Sequence, residues 1–186
     1  DKTVYIAKEH GARVVDEVYR GYGAACLKGI SELNEPEIVV FVDGDFSDFP
    51  EEIESLVNPI IDNQADFVLG SRMLLPQSRI SLLPKARYGN LLAVFLLKLF
   101  FQHQFTDLGP FRAIRYKSLK ELKMVDKNFG WTVEMQIKAV KHGLCIKEVP
   151  VQYRKRIGVS KITGTISGTF KAGFKIIFTI FKYLLI

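Results

Sequence analysis

The apolar run of residues 38–42, which leads directly into Asp43, Gly44 and Asp45, constrains the fold more than any other segment. A continuous run of this length is typical of a strand buried on both faces, as in a parallel sheet. Open α/β sheets bind ligands beyond the carboxyl ends of such strands. Both carboxylates can turn toward one hard cation, whose other ligands are typically phosphate oxygens. The motif predicts a cation site for a nucleotide diphosphate, and an Asp/Gly turn without chemistry remains the alternative.

Helical and strand patterns alternate along the chain, which predicts an α/β fold with a parallel sheet. The first half predicts helices over residues 4–10, 24–33 and from Pro50, and strands over residues 13–15, 38–42 and 65–69. The second half predicts a long apolar helix, a segment over residues 109–114, a helix over residues 131–141 and a strand over residues 144–153. The length and the lack of a linker predict a single domain over residues 1–186.

The net charge of +6 is distributed unevenly. Residues 73–106 and 150–186 contain no acidic residue and eleven basic ones, whereas the remainder has 15 basic against 20 acidic residues. The two acid-free segments also carry the longest apolar runs, residues 91–101 and 174–186. Apolar and basic segments without acids are typical of helices that lie on an anionic membrane surface. We therefore predict membrane-interface helices over residues 84–102 and 163–186.

Other interpretations of these segments remain open. The first is also consistent with a core helix, because a dozen apolar residues more often belong to a core than to a membrane. The second is shorter than the ~20 residues that span a bilayer, so we expect it to lie at the interface. Nucleic-acid surfaces interleave exposed aromatic residues with Lys and Arg, a pattern absent here, and we expect no nucleic-acid partner. Cys26 and Cys145 match neither a disulfide framework nor a metal spacing, which indicates a reducing compartment and hence the cytoplasmic face of a membrane.

Six short motifs follow one another along nearly the whole chain. They are Arg20-Gly21-Tyr22-Gly23, Asp43-Gly44-Asp45, Gly70-Ser71-Arg72, Thr106-Asp107-Leu108-Gly109-Pro110-Phe111-Arg112, Trp131 with Glu134, and Glu148-Val149-Pro150 followed by Tyr153-Arg154-Lys155-Arg156-x-Gly158-x-Ser160-Lys161. Each motif alone is loose, but the order is specific. In this order the chain resembles family 2 glycosyltransferases of the dolichol-phosphate mannose synthase type.

The resemblance implies a GT-A (Rossmann-like) fold and a hexosyltransferase that inverts the anomeric carbon. It implies a GDP- or UDP-sugar donor, Mg²⁺ or Mn²⁺ as cofactor, and a polyprenyl phosphate, dolichyl or undecaprenyl, as acceptor. In that family a first strand and an Asp-rich turn after the second strand form the nucleoside pocket. Asp1-Lys2-Thr3 is similar to the end of the segment that follows, so we expect the chain to be incomplete at its N-terminus.

The site residues follow from this chemistry. A cation held by Asp43 and Asp45 neutralises the leaving diphosphate, and Arg154 supplies further positive charge. Asp107 is the best candidate for orienting the acceptor, with a turn or N-cap role as the alternative. The remaining residues predicted to bind substrate are Arg20, Gly21, Gly23, Arg72, Arg87, Arg112, Glu134, Arg156, Ser160 and Lys161. A surface charge, a structural salt bridge or a loop glycine is the simpler alternative for these.

Three other functions stay open at this point. A glycosyltransferase with a non-lipid acceptor has the same donor chemistry. A nucleotidyltransferase shares the sheet and the acidic pair, but it would be expected to have a Gly-rich basic loop after its first strand, which is not seen. A non-catalytic membrane adaptor accounts for the basic tail but not for Asp43 and Asp45.

Overall fold

A four-stranded sheet with helices packed against it organises the chain in a computed structural model that describes residues 2–157 and 166–186. The first half comprises α1 (Thr3–Glu9), α2 (Tyr22–Ser31), β1 (Ile38–Phe41), a 3₁₀ turn (Pro50–Glu52), α3 (Ile53–Ile61), β2 (Phe67–Ser71), α4 (Pro76–Ser81) and α5 (Pro84–Phe101). The second half comprises β3 (Arg112–Arg115), α6 (Tyr116–Leu122), α7 (Trp131–Lys141), β4 (Ile146–Pro150) and α8 (Ile166–Leu184).

The sheet is mixed, so the prediction of a wholly parallel sheet is wrong. The strand order is β1-β3-β2-β4, and β3 runs antiparallel to both β1 and β2, whereas β2 and β4 are parallel. The three strands β1, β2 and β4 therefore point the same way, with β3 inserted between two of them. Ala113 and Ile114 of β3 are buried, as residues of a parallel strand would be, so the apolar pattern could not reveal the direction of the strand.

Two other strand predictions also need correction. Residues 13–15 form no strand, and Arg13 instead extends its guanidinium to the backbone carbonyl and carboxylate of Glu32 at the end of α2. The residues of β1 are only half-buried, although their sequence predicts burial on both faces, because β1 lies at one edge of the described sheet.

The long helix α5 has two different faces. Ala93 and Leu97 are buried in the core with Phe67 and Leu69 of β2. Phe95 and Leu99 on the same helix are more than half exposed. The helix is therefore a core helix on one side and an apolar surface on the other, and its position at a membrane remains a prediction.

The last helix, α8, packs against α5 and α7. Ile180 and Tyr183 are buried in that contact, while Phe170, Phe174 and Phe178 remain exposed. Among the described helices, none has both the length and the hydropathy required to cross a bilayer.

Candidate active site

Asp43 lies just beyond the carboxyl end of β1, where the sequence predicted a ligand site. It borders a cleft of about 480 Å³ between α2 and the edge of β1, lined by Tyr22, Ala25, Cys26, Val40, Phe41, Val42, Asp43 and Gly44. Burial, and then the negative charge of Asp45, raise the pKa of Asp43 above the usual range of a carboxyl group. The two carboxylates therefore lie within electrostatic range of each other.

The loop of residues 43–49 is closed by its own side chains. The backbone N–H and the hydroxyl of Ser47 donate to Asp45 Oδ1 over 3.0 and 2.5 Å, and the N–H of Asp43 donates to Asp48 Oδ2 over 3.2 Å. Phe46 adopts a left-handed backbone conformation with φ of 67°. These contacts hold Asp43 and Asp45 on one tight turn.

Asp48 is a residue of this loop that sequence reasoning missed. Its side chain is buried, and its Oδ1 atom has no hydrogen-bond partner among the described residues. Burial, as the largest cause, raises the pKa of Asp48 to about 6. The sequence carried only the weak signal of a third carboxylate five residues after Asp43, because burial depends on what packs over the loop.

We call residues 151–157, which cover this loop, the strap. The N–H of Arg154 donates to the carbonyl of Ser47 over 3.0 Å, and the N–H of Ile157 donates to the carbonyl of Asp45 over 3.2 Å. The Arg156 guanidinium pairs with Asp45 Oδ2 at 2.6 Å. Two motifs that are far apart in the sequence are thus in direct contact, and their binding of a diphosphate remains a prediction.

Arg154 binds the loop in a different way from Arg156. Its Nε donates to the carbonyl of Phe46 over 2.5 Å and its Nη2 donates to the carbonyl of Asp48 over 3.4 Å. The guanidinium carbon lies 3.3 Å from the ring centroid of Phe46 and 4.2 Å from that of Phe49. Arg154 therefore clamps the loop backbone, and its predicted catalytic role remains a prediction.

Asp107 is completely buried and is bound to Arg72. Asp107 Oδ2 accepts from Arg72 Nε over 2.7 Å and Oδ1 accepts from Nη2 over 2.8 Å. The backbone N–H groups of Arg72 and Leu108 donate to the same carboxylate. This geometry does not support the expectation that Asp107 orients an acceptor directly, and it supports a role in positioning Arg72, whose guanidinium lies 5.0 Å from the ring centroid of Tyr153 on the strap.

Arg112 and Glu134, both predicted to bind substrate, are buried and bound to the protein. Arg112 donates to the backbone carbonyls of Gly109 and Thr132, and burial lowers its pKa to about 10. Glu134 accepts from the Tyr183 hydroxyl over 2.6 Å and from two backbone N–H groups of the loop before α7, and it pairs with Lys138. These contacts give both residues a structural role, and their binding of substrate remains a prediction.

Gly21 and Gly23 approach the protein backbone where the sequence predicted a ligand. A Cβ atom on Gly21 would lie 2.1 Å from the carbonyl oxygen of Lys127, and one on Gly23 would lie 2.0 Å from that of Asp126. The glycines thus let the start of α2 pack against the loop that precedes α7. Arg20 and Arg87 are exposed, and Ser160 and Lys161 lie outside the described residues.

Replacing Gly23 by alanine is expected to destabilise the protein by about 3 kcal/mol, because the new methyl group overlaps a backbone carbonyl that cannot rotate away. Gly29 in the same helix is the matched control, since its Cβ would meet no atom within 4 Å. Gly29→Ala is expected to stabilise by about 0.5–1 kcal/mol through helix propensity. Urea unfolding of both variants measures the difference, and equal free energies of unfolding would contradict this packing.

The chemistry of the loop fits a divalent cation that is shared with a substrate. No group of three or more His, Cys, Asp or Glu side chains within residues 2–157 and 166–186 is arranged to hold a metal ion by itself. Mg²⁺ and Mn²⁺ at phosphate sites typically take one or two carboxylates from the protein and the rest of their ligands from phosphate and water. Asp43 and Asp45 would supply that number of ligands.

The fold is that of the GT-A glycosyltransferases, as the sequence predicted. The chain superposes on the crystal structure of glucosyl-3-phosphoglycerate synthase from Mycobacterium tuberculosis, in complex with Mn²⁺, UDP-glucose and phosphoglyceric acid, with a TM-score of 0.74 and 20% identity. All of this chain and 65% of the other are covered, so the chain spans slightly less than two thirds of that enzyme.

The sequence comparisons identify the family. The model of glycosyl transferase family 2 matches residues 1–123. The chain is 32% identical over 173 residues to an uncharacterized glycosyltransferase of Mycobacterium tuberculosis, covering 92% of this chain and 78% of that protein. It is 31% identical over 166 residues to the dolichyl-phosphate hexose transferase of Haloferax volcanii, covering 87% of this chain and 69% of that protein. The chain belongs to glycosyltransferase family 2, which confirms the resemblance.

Proposed function

We propose that the protein transfers a hexose from a GDP- or UDP-sugar to a polyprenyl phosphate at a membrane surface, with inversion at the anomeric carbon and with Mg²⁺ or Mn²⁺ as cofactor. The observation that carries the proposal is the pairing of the loop of Asp43 and Asp45 with the arginines of the strap. It combines the ligands for a cation with guanidinium groups suited to phosphate. The dolichyl-phosphate hexose transferase among the relatives supports a lipid phosphate acceptor.

The residues of the site match the charge that develops during such a transfer. Positive charge grows at the anomeric carbon while the leaving diphosphate gains negative charge. A cation held by Asp43 and Asp45 would act as a Lewis acid toward that diphosphate. Arg72, held in place by Asp107, adds fixed positive charge at the edge of the site, and Arg156 adds a second guanidinium beside Asp45. The acceptor phosphate is already an anion near neutral pH, so the protein needs to orient it more than to deprotonate it.

The exposed apolar faces of α5 and α8 support a membrane-bound acceptor. Phe95 is 59% exposed and Phe174 is 72% exposed. The acid-free segments that contain both helices also carry eleven basic residues, which favour an anionic surface. A helix that presents aromatic residues and lysines in this way is suited to lie in the interface of a bilayer.

Replacing Phe95 and Phe174 together by glutamine is expected to lower the partition coefficient on anionic vesicles by about tenfold or more, because two large apolar side chains no longer insert. Point substitutions are preferable to deletion of residues 174–186, which would expose the core around Ile180 and Tyr183. Vesicle sedimentation at low and high salt measures the effect. Val18→Gln is the control, because Val18 is 97% exposed and lies outside both helices. Equal losses in the two variants would argue against this membrane surface.

A non-lipid acceptor is the second candidate, because the solved structure with the same fold was crystallised with phosphoglyceric acid. A single assay separates the two. The protein is incubated with labelled GDP- and UDP-sugars, a divalent cation, and either vesicles containing a polyprenyl phosphate or soluble phosphorylated acceptors. We expect labelled lipid with one donor and only with the cation. Labelled product from a soluble acceptor alone would overturn the lipid assignment, and no transfer from any donor would favour a non-catalytic adaptor.

A further inference from the structure

The arginines around the loop of residues 43–49 are held in unequal ways. Arg154 is fixed by two backbone carbonyls and two aromatic rings, and Arg72 is fixed by the buried carboxylate of Asp107. Within residues 2–157 and 166–186, Arg156 is bound only through an ion pair with Asp45, and about a third of its side chain is exposed to solvent. Arg156 is therefore far more free to leave its partner than the other two.

The ion pair involves the carboxylate that is proposed to bind the cation. Asp45 Oδ1 is taken by Ser47, and Oδ2 faces the Arg156 guanidinium at 2.6 Å. A divalent cation bound to Oδ2 would lie within a few ångströms of this guanidinium, and like charges at that separation repel strongly even at a protein surface. The cation and Arg156 thus compete for the same oxygen.

We propose that Arg156 is an exchangeable counter-ion of Asp45, which a divalent cation displaces and which then binds the diphosphate of the donor. Arg154 and the backbone bonds of the strap keep Arg156 beside the loop throughout, so its side chain has to rotate only a short way. The exchange delivers the guanidinium to the diphosphate only when the cation is in place. This inference rests on the cation site of the proposed function.

The first part of the proposal is that the cation displaces Arg156 from Asp45. Binding of Mn²⁺ alone, measured from the electron paramagnetic resonance signal of free Mn²⁺, tests it. Arg156→Gln is expected to bind Mn²⁺ roughly fivefold more tightly than the unaltered protein, because the competitor is gone. Lys155→Gln is the matched control, since it removes the same charge from an exposed neighbour on the strap. Its affinity is expected to change less than about twofold.

The outcomes separate the inference from the proposed function. Equal changes in Arg156→Gln and Lys155→Gln, or weaker binding in Arg156→Gln, would overturn the exchange while leaving the cation site intact. No Mn²⁺ binding by the unaltered protein, even when UDP or GDP is added, would overturn the cation site itself and the exchange with it.

The second part of the proposal is that the displaced Arg156 binds the diphosphate of the donor. Binding of GDP and UDP at saturating Mn²⁺, measured by titration calorimetry, tests it. Here the effect of Arg156→Gln is expected to reverse, with nucleotide binding about tenfold weaker, because the guanidinium no longer reaches the diphosphate. A merely structural role for Arg156 would weaken both cation and nucleotide binding. Unchanged nucleotide affinity in Arg156→Gln would contradict the delivery of this arginine to the diphosphate.

Discussion

Replacing Asp45 by alanine is expected to lower kcat/KM for sugar transfer at least about a thousandfold, which corresponds to about 4 kcal/mol of transition-state stabilisation. The carboxylate is proposed to hold the cation that neutralises the leaving diphosphate, and Asp43→Ala is expected to behave in the same way. The free energy of unfolding is expected to fall by about 1–2 kcal/mol, because the ion pair with Arg156 is partly exposed but buried Ser47 loses the acceptor of its N–H and hydroxyl.

The measurement combines transfer kinetics at saturating Mn²⁺ or Mg²⁺ with urea unfolding of the same variants. Asp62→Ala is the control, since Asp62 is an exposed carboxylate just after α3 and remote in sequence from the loop. Full activity of Asp45→Ala with either cation would contradict the assignment of the metal ligands.

Replacing Asp107 by alanine is expected to destabilise the protein by about 3–5 kcal/mol, because Arg72 would remain largely buried without its counter-ion. The midpoint of thermal unfolding is expected to fall by about 10 °C for a chain of this size. Circular dichroism during heating and urea titration measure both quantities. This result would contrast with Asp45→Ala, in which activity is lost with a much smaller loss of stability.

A double variant tests whether the loss of stability in Asp107→Ala arises from the unpaired charge of Arg72. Arg72→Met together with Asp107→Asn removes both charges and keeps an oxygen that can accept from the backbone N–H groups at this position, so it is expected to recover most of the stability. Transfer activity is not expected to recover, since Arg72 contributes positive charge to the site. If Asp107→Asn instead kept full stability and lost activity, Asp107 would act on the acceptor directly, as its place in the motif first predicted.

Local pattern was enough to predict most of the helices. The helix of residues 131–141 is found as predicted, and Gly143 follows it with φ of 67°, a conformation that glycine adopts without strain. The helix predicted over residues 84–102 runs from Pro84 to Phe101, with proline at its start, where no backbone N–H is needed. These features depend on neighbours within one or two turns, which the sequence displays directly.

The sequence by itself determined the strand that leads to Asp43, the long apolar helices, the family and the motifs of the candidate site. Only the tertiary structure decided what the polar residues of those motifs touch. Arg72 and Asp107 are 35 residues apart, and Arg154 and Phe46 are 108 residues apart. A motif reads the same in the sequence whether its charged residue faces a ligand or a buried partner within the protein. Contacts over such separations are set by how the elements pack, which local propensity does not encode.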